Sequence, residues 1–206
     1  MRGLEQIPWL YDLGLAFLER GGLGRWRRWL VGGTRGPTLE IGAGTGRDLP
    51  LYPAGQPVVA IDPHPQNLVA ARKRAHGAGL VRARAEALPF RDGAFETAVS
   101  SLVFCSVDDP AAGLAEIRRV LRPGGKLRMV EHVRSHGRLV GWLQDHGQPA
   151  WTWLTGGCRP NRDTERLVRE SGFEIDPASL RAEGIMVRFE ARVSVPRTTD
   201  GRGAAT

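Results

Sequence analysis

"TLEIGAGTGRD", residues 38–48, sets a short apolar run against three glycines at alternate positions, Gly42, Gly44 and Gly46. Such a run, stopped by glycines, reads as a buried strand leading into a tight turn. The flanking sequence extends the pattern. Strand-like segments follow at 57–62, 80–85, 96–104 and 126–133, with helical periodicity at 65–75 and from Pro110 to Leu121. Asp109 can cap that second helix, with Pro110 at its first position. Residues 163–175 read as a helix, a Gly172 stop and a strand, and 185–195 as a last strand. Alternating strands and helices predict an α/β, Rossmann-like, doubly wound fold. The expected sheet is seven-stranded and mostly parallel, with helices on both faces.

Around this unit lie segments of other character. Residues 7–20 and 25–30 read as short helices, so residues 1–36 are expected to form N-terminal cap helices. The unit itself spans 37–195. Within it, 134–160 breaks the alternation with Trp142, Trp151 and Trp153 among glycines and histidines, and reads as a cap over a substrate. The polar tail 196–206 lacks periodicity and is expected to be disordered.

Composition narrows the function. A chain of 206 residues with 41% hydrophobic and 25% charged residues is an ordinary globular chain. The net charge is +7, but lysine occurs only at Lys73 and Lys126, and the arginines are scattered. No basic block with interleaved aromatics is present, which argues against nucleic acid as a partner. No apolar stretch is long enough to cross a membrane, and the N-terminus lacks the pattern of a secretory signal. Cys105 and Cys158 lie far apart and form no CxxC motif, so a reducing cytoplasm is the expected location. "RWRRWL", 25–30, has the composition of a peripheral membrane contact, although packing of Trp26 or Trp29 against the sheet is the simpler reading. Nothing in the sequence sets the oligomeric state.

In an open parallel sheet, ligands bind beyond the carboxyl ends of the strands at the switch point, where the 42–46 turn falls. Asp62, at the end of the second strand, is placed to accept hydrogen bonds from both hydroxyls of a ribose. A dinucleotide would fit so far. Its G-x-G-x-x-G fingerprint, however, requires a third glycine where Arg47 stands. Glu40, two residues before the first glycine, would be a poor neighbour for a pyrophosphate and a good one for an ammonium. The E-x-G-x-G-x-G form therefore favours S-adenosylmethionine (SAM) over NAD.

"LEIGAGTGRDLP", "VVAIDPHP", "AEALPFRDGAFETAVSSLVFCSV" and "EIRRVLRPGGKLRMVEHV" occur in that order. As a set they resemble the successive motifs of class I SAM-dependent methyltransferases. "LVFCSVDDP", "VEHVRS" and "GCRPNRDT" narrow the resemblance to the methyltransferase-like group that includes the alkyl thiol methyltransferases. The ubiquinone/menaquinone and phosphatidylethanolamine methyltransferases are its wider neighbourhood. The animal thiol enzymes carry a hydrophobic N-terminal anchor that this sequence lacks.

The resemblance implies methyl transfer from SAM to a small, fairly apolar acceptor, with a thiol as the first expectation. A quinol, a hydroxyl or a phospholipid amine is the alternative. It implies that Glu40 faces the methionyl end of the cofactor, with Gly42 and Gly44 against it. Asp62 holds the ribose, Pro63 packs on the ribose or adenine, and Ala85 and Glu86 border the adenine. Ser101 and Leu102 offer backbone groups to the methionine. Arg84 stands where family members often carry an aspartate. His132 is the candidate general base near the acceptor, and Trp9, Tyr11, Trp142 and Trp151 the candidate acceptor pocket. His132 and His136 are four apart, but no further ligands lie at a recognisable spacing, so no metal is expected. An NAD(P)-dependent oxidoreductase and a SAM-binding protein without catalysis are the readings from other classes.

Overall fold

A computed structural model describes residues 22–135, 137–155 and 157–194. The expected helix at 7–20, Trp9, Tyr11, His136 and the tail lie outside the described residues. The elements are α1 (Gly24–Gly32), β1 (Thr38–Ile41), β2 (Val58–Asp62), α2 (Pro65–Arg72), β3 (Gly79–Arg82), β4 (Phe95–Ser101), α3 (Pro110–Val120) and β5 (Leu121–His132). They continue with α4 (Arg138–Thr155), α5 (Thr164–Glu170), β6 (Phe173–Ile175), β7 (Arg181–Glu183) and β8 (Met186–Val193). A short 3-10 turn covers Leu49–Leu51.

The sheet order is β3-β2-β1-β4-β5-β8-β6. The first five strands run parallel, and β8 lies antiparallel between β5 and β6. Seven strands were expected, and eight are present among the described residues. The extra one, β7, pairs only with β8 through three exposed residues, too short and too polar to signal itself in sequence.

Period-two alternation distributes the side chains between two layers of helices. Ala98, Leu127 and Met129 join a buried cluster with Leu114, Ile117 and Val120 of α3. Their neighbours Val99 and Val130 point the other way and meet Trp26 and Leu30 of α1. Val58 and Ala60 pack with Ala71 of α2, while Ile61 turns to the α3 side. Helices therefore cover both faces. Asp109 caps α3 by accepting from the Ala112 amide at 3.0 Å, with Pro110 in the first turn, as its sequence suggested. Asp163 caps α5 in the same way, through the Arg166 amide at 3.1 Å.

α1 is docked on the sheet. Trp26 and Arg27 are buried, and Arg27 reaches Asp48 at 2.8 Å. Arg128 of β5 donates to the carbonyls of Leu30 (2.8 Å) and Trp29 (2.7 Å), filling acceptors that a helix C-terminus leaves open. Its guanidinium lies 4.1 Å from the centroid of the Trp29 ring and pairs with Glu190. Trp26 and Arg27 thus serve packing, the simpler of the two readings of "RWRRWL", while Arg25 and Arg28 stay exposed.

The largest departure is α4. Residues 134–160 break the strand–helix alternation in sequence, and 18 of them form one helix despite their glycines and Pro149. Gln144 fastens it. Its Nε2 donates to the Val133 and Pro160 carbonyls, both at 3.1 Å, and its Oε1 accepts from the Ser135 amide at 2.7 Å. Leu139, Trp142, Leu143 and Trp153 stand exposed along it. No helix among the described residues is long and apolar enough to cross a membrane.

Candidate active site

A cleft of about 300 Å³ opens at the carboxyl ends of β1, β2 and β4, where the sheet order reverses. Its wall includes Gly42, Gly44, Asp62, Pro63, Ala85, Glu86, Ser101 and Leu102, all named from the sequence. His64, Asn67, Ser106 and Asp108 also line it and were not, while Arg84 stands there as the departure from the family pattern noted in the sequence. The structure thus brings eight of the nine expected cofactor residues together.

The three glycines do three different things. All have left-handed φ, at +69°, +51° and +79°. A Cβ on Gly42 would lie 2.4 Å from the Val103 side chain, and one on Gly46 would lie 2.9 Å from the Ala71 backbone. Only at Gly44 would a Cβ meet no protein atom, standing in the open cleft instead. Bareness at Gly42 and Gly46 serves packing, whereas at Gly44 it keeps the cleft floor open.

Asp62 ties the turn to the end of β2. Its Oδ2 accepts from the Gly44 amide at 2.9 Å. Its Oδ1 accepts from the His64 amide at 2.9 Å and from Asn67 Nδ2 at 3.2 Å. Burial pushes its pKa up, and the three donors oppose that push. A carboxylate offers about four acceptor positions, so roughly one remains for a ribose hydroxyl. The sequence had assigned it both hydroxyls.

Glu40, the ninth residue, is not on the cleft wall. It is buried under the turn beside Asp48, Tyr52 and Arg27. Desolvation and then repulsion from Asp48 raise its pKa, against the Tyr52 hydrogen bond and the Arg27 charge. Its Oε2 has no hydrogen-bond partner. An acid with a raised folded pKa loses stabilising power as pH rises above its unfolded value of about 4.3. Glu40→Gln should therefore gain melting temperature relative to the parent between pH 5 and pH 8. A difference independent of pH would show that Glu40 carries no such penalty.

At one rim, Arg84 bridges Asp108 (2.6 Å) and Glu86 (3.2 Å). This explains the arginine where an aspartate was expected: carboxylates from two other positions face the cleft beside it. On the opposite side, Leu102 adopts a left-handed φ of +59° and ends β4 three residues before the sequence suggested. The loop that follows is held from below by Glu131. Its Oε1 accepts from Ser100 Oγ (2.8 Å) and from the Val103 and Phe104 amides (both 3.1 Å). Burial raises the Glu131 pKa despite those bonds. Sequence reasoning passed over it for its neighbour His132.

His132 does not line the cleft. It meets Cys105 and Cys158, and the three ligand atoms lie within 4.8 Å of one another. Both thiols are buried and reduced. Hydrogen bonds from Cys105, His132 and Trp151 pull the Cys158 thiol well below its usual range, against burial. Trp142 is half-exposed and stacks on His146 at 4.3 Å. Trp151 is also half-exposed and turns toward Cys158. Among the described residues, no side chain of α4 lines the cleft. Of the expected acceptor pocket, Trp142 and Trp151 are therefore not placed on the cleft wall.

Three comparisons place this geometry among known proteins. Residues 39–129 match the family model described as "Methyltransferase domain". Human thiol S-methyltransferase TMT1B is 33% identical over 143 residues, covering 66% of this chain and 59% of that protein. Demethylmenaquinone methyltransferase of Renibacterium salmoninarum is 36% identical over 126 residues, covering 59% of this chain and 53% of that protein. The chain thus spans little more than half the length of these relatives. The crystal structure of a SAM-dependent methyltransferase from Thermotoga maritima superimposes with a TM-score of 0.69 at 23% identity, over 90% of this chain and 96% of that one. Gly44 leaves the cleft floor bare, and Asp62 keeps an acceptor for a ribose, so the residues present fit SAM as cofactor. Residues 39–129 thus match a methyltransferase domain, and the chain is similar in sequence to proteins named as thiol S-methyltransferases and demethylmenaquinone methyltransferases.

Proposed function

We propose that this protein transfers a methyl group from SAM to the sulfur of a small, fairly apolar thiol. The observation that carries the reading is the cleft itself, with its bare floor at Gly44 and the buried Asp62 beside it. The thiol preference rests on likeness to proteins named as thiol S-methyltransferases.

SAM, when bound, supplies a methyl group already activated on a sulfonium. The chain's own task is to position and to exclude water. Asp62 accepts a ribose hydroxyl, and Pro63 packs beside it. Ala85 and Glu86 border the adenine. The backbone of Ser101 and Leu102 faces the methionine. Glu131 fixes the loop after Leu102 so that this edge keeps one shape. A general base is not required, because a thiol with a pKa of about 8.5 is already a few per cent thiolate at neutral pH. His132, turned toward two cysteines, is not assigned that role.

The second reading, methylation of a quinol, is favoured by the 36% identity to the demethylmenaquinone enzyme. The test is transfer of label from methyl-labelled SAM to a panel of alkyl thiols, quinols, catechols and phosphatidylethanolamine. The expected outcome is label on alkyl thiols. Label on quinols alone selects the second reading, and no transfer to any acceptor overturns both.

A further inference from the structure

Cys105, His132 and Cys158 come from three separate parts of the chain: the loop after β4, the end of β5, and the segment after α4. Their ligand atoms nevertheless gather within 4.8 Å of one another. Hydrogen bonds to the two cysteine carbonyls hold the arrangement. The Arg159 amide donates to the Cys105 carbonyl at 2.8 Å, which fixes one cysteine segment against the other. Thr152 Oγ1 donates to the Cys158 carbonyl at 2.8 Å, which ties that segment back to α4.

We propose that these three side chains bind one thiophilic divalent cation, with Zn²⁺ the best match. Two thiolates and an imidazole are a ligand set that zinc favours over hard cations. Ligand atoms around tetrahedral zinc stand about 3.6–3.8 Å apart. Side-chain rotations on the order of 1 Å close the present spacing. Two thiolates and one neutral imidazole cancel the charge of a divalent ion, which suits a buried position. Binding releases the two thiol protons to solvent and changes no oxidation state.

Three protein ligands leave the fourth position of a tetrahedral ion to water or to another ligand. The site adjoins the cleft wall through Cys105. Cys105 Sγ lies 3.7 Å from the Leu102 carbonyl and 3.7 Å from Ser106 Oγ, and both of those residues line the cleft wall. A thiol acceptor would find its ligand position there and would lose its proton on binding. This corollary rests on the thiol reading above; the metal site does not.

The test uses the full chain, reduced and stripped of metal under anaerobic conditions, titrated with Co²⁺ alone. The expected result is one Co²⁺ per chain, with visible bands of tetrahedral cobalt and a near-ultraviolet thiolate-to-cobalt charge-transfer band. Zn²⁺ should displace it. Cys105→Ser and Cys158→Ser should each lose charge-transfer intensity and weaken Co²⁺ binding by about a hundredfold or more. Their far-ultraviolet circular dichroism and SAM affinity report whether they fold. Absence of a charge-transfer band in folded, SAM-binding parent protein would overturn the site. So would undiminished binding by the folded double variant. Adding an alkyl thiol to the cobalt form should shift the visible bands. If the bands stay fixed while the parent spectrum stands, the corollary fails and the metal site survives.

Discussion

Asp62→Ala weakens SAM binding by about tenfold to a hundredfold, measured by calorimetry at neutral pH, with the larger loss on ligands that keep their ribose hydroxyls. The magnitude follows from removing a buried charged acceptor, worth about 1.5–3 kcal/mol. Two mechanisms contribute. The carboxylate accepts a ribose hydroxyl, and it also holds the Gly44 amide at 2.9 Å, which fixes the turn on which the ligand lies. A cycle on the ligand side separates them. S-adenosylhomocysteine and its 2′-deoxy and 3′-deoxy forms are each bound to parent and variant. With three of about four acceptor positions already filled by Gly44, His64 and Asn67, one hydroxyl and not both should couple to Asp62. Equal losses for all three ligands would mean that Asp62 acts through the turn alone. Coupling to both hydroxyls would mean that one internal bond is released on binding.

Asp62→Asn sharpens the point. An amide keeps one acceptor oxygen but presents an NH₂ on the other side, facing either the Gly44 amide or the His64 amide and the Asn67 side chain. Two donors then confront each other in a buried place. The asparagine variant should therefore be no better than alanine in SAM affinity, although it conserves shape.

The legible and the hidden parts of this molecule differ in how far their causes reach along the chain. β1, its glycine turn and Asp62 could be read because each is announced by neighbours: an apolar run, a glycine spacing, an acid closing the next strand. The Asp109–Pro110 cap is equally local. What escaped was non-local. Glu131 matters because amides from the loop after β4 arrive at its oxygen, and nothing around position 131 predicts them. The cysteines seemed unrelated because they are far apart in sequence, and the register of β4 on β5 is what brings Cys105 to His132. α4 was hidden for another reason. Glycines and a proline lower helix propensity, and its stability comes instead from attachments such as Gln144 and the Arg134–Asp145 pair at 2.9 Å. Glu40 shows the limit of a motif: its place in the strand was correctly read, while its partners turned out to be Tyr52, Asp48 and Arg27 rather than the cleft.

Glu131→Ala should be the most damaging substitution at the cleft edge, lowering unfolding free energy by about 4 kcal/mol in chemical denaturation. It strands the Val103 and Phe104 amides and the Ser100 hydroxyl, all served by a single oxygen. Each buried donor left unsatisfied costs about 1–3 kcal/mol. Glu131→Gln separates charge from geometry. The glutamine carbonyl can take the place of Oε1 and accept the same three bonds. Its NH₂ would occupy the place of Oε2, which has no hydrogen-bond partner. An unpaired NH₂ there replaces an oxygen that already lacks a partner, so the glutamine variant should keep part, though not all, of the stability that alanine loses. SAM affinity should follow the same order, because the loop it anchors carries Val103, whose side chain fills the space that Gly42 leaves and lines the cleft beside Leu102. Were glutamine as destabilising as alanine, the negative charge and not the oxygen position would be what holds the loop. Were both variants as stable as the parent, the three bonds would be replaceable by water, and the edge of the cleft would owe its shape to β4 alone.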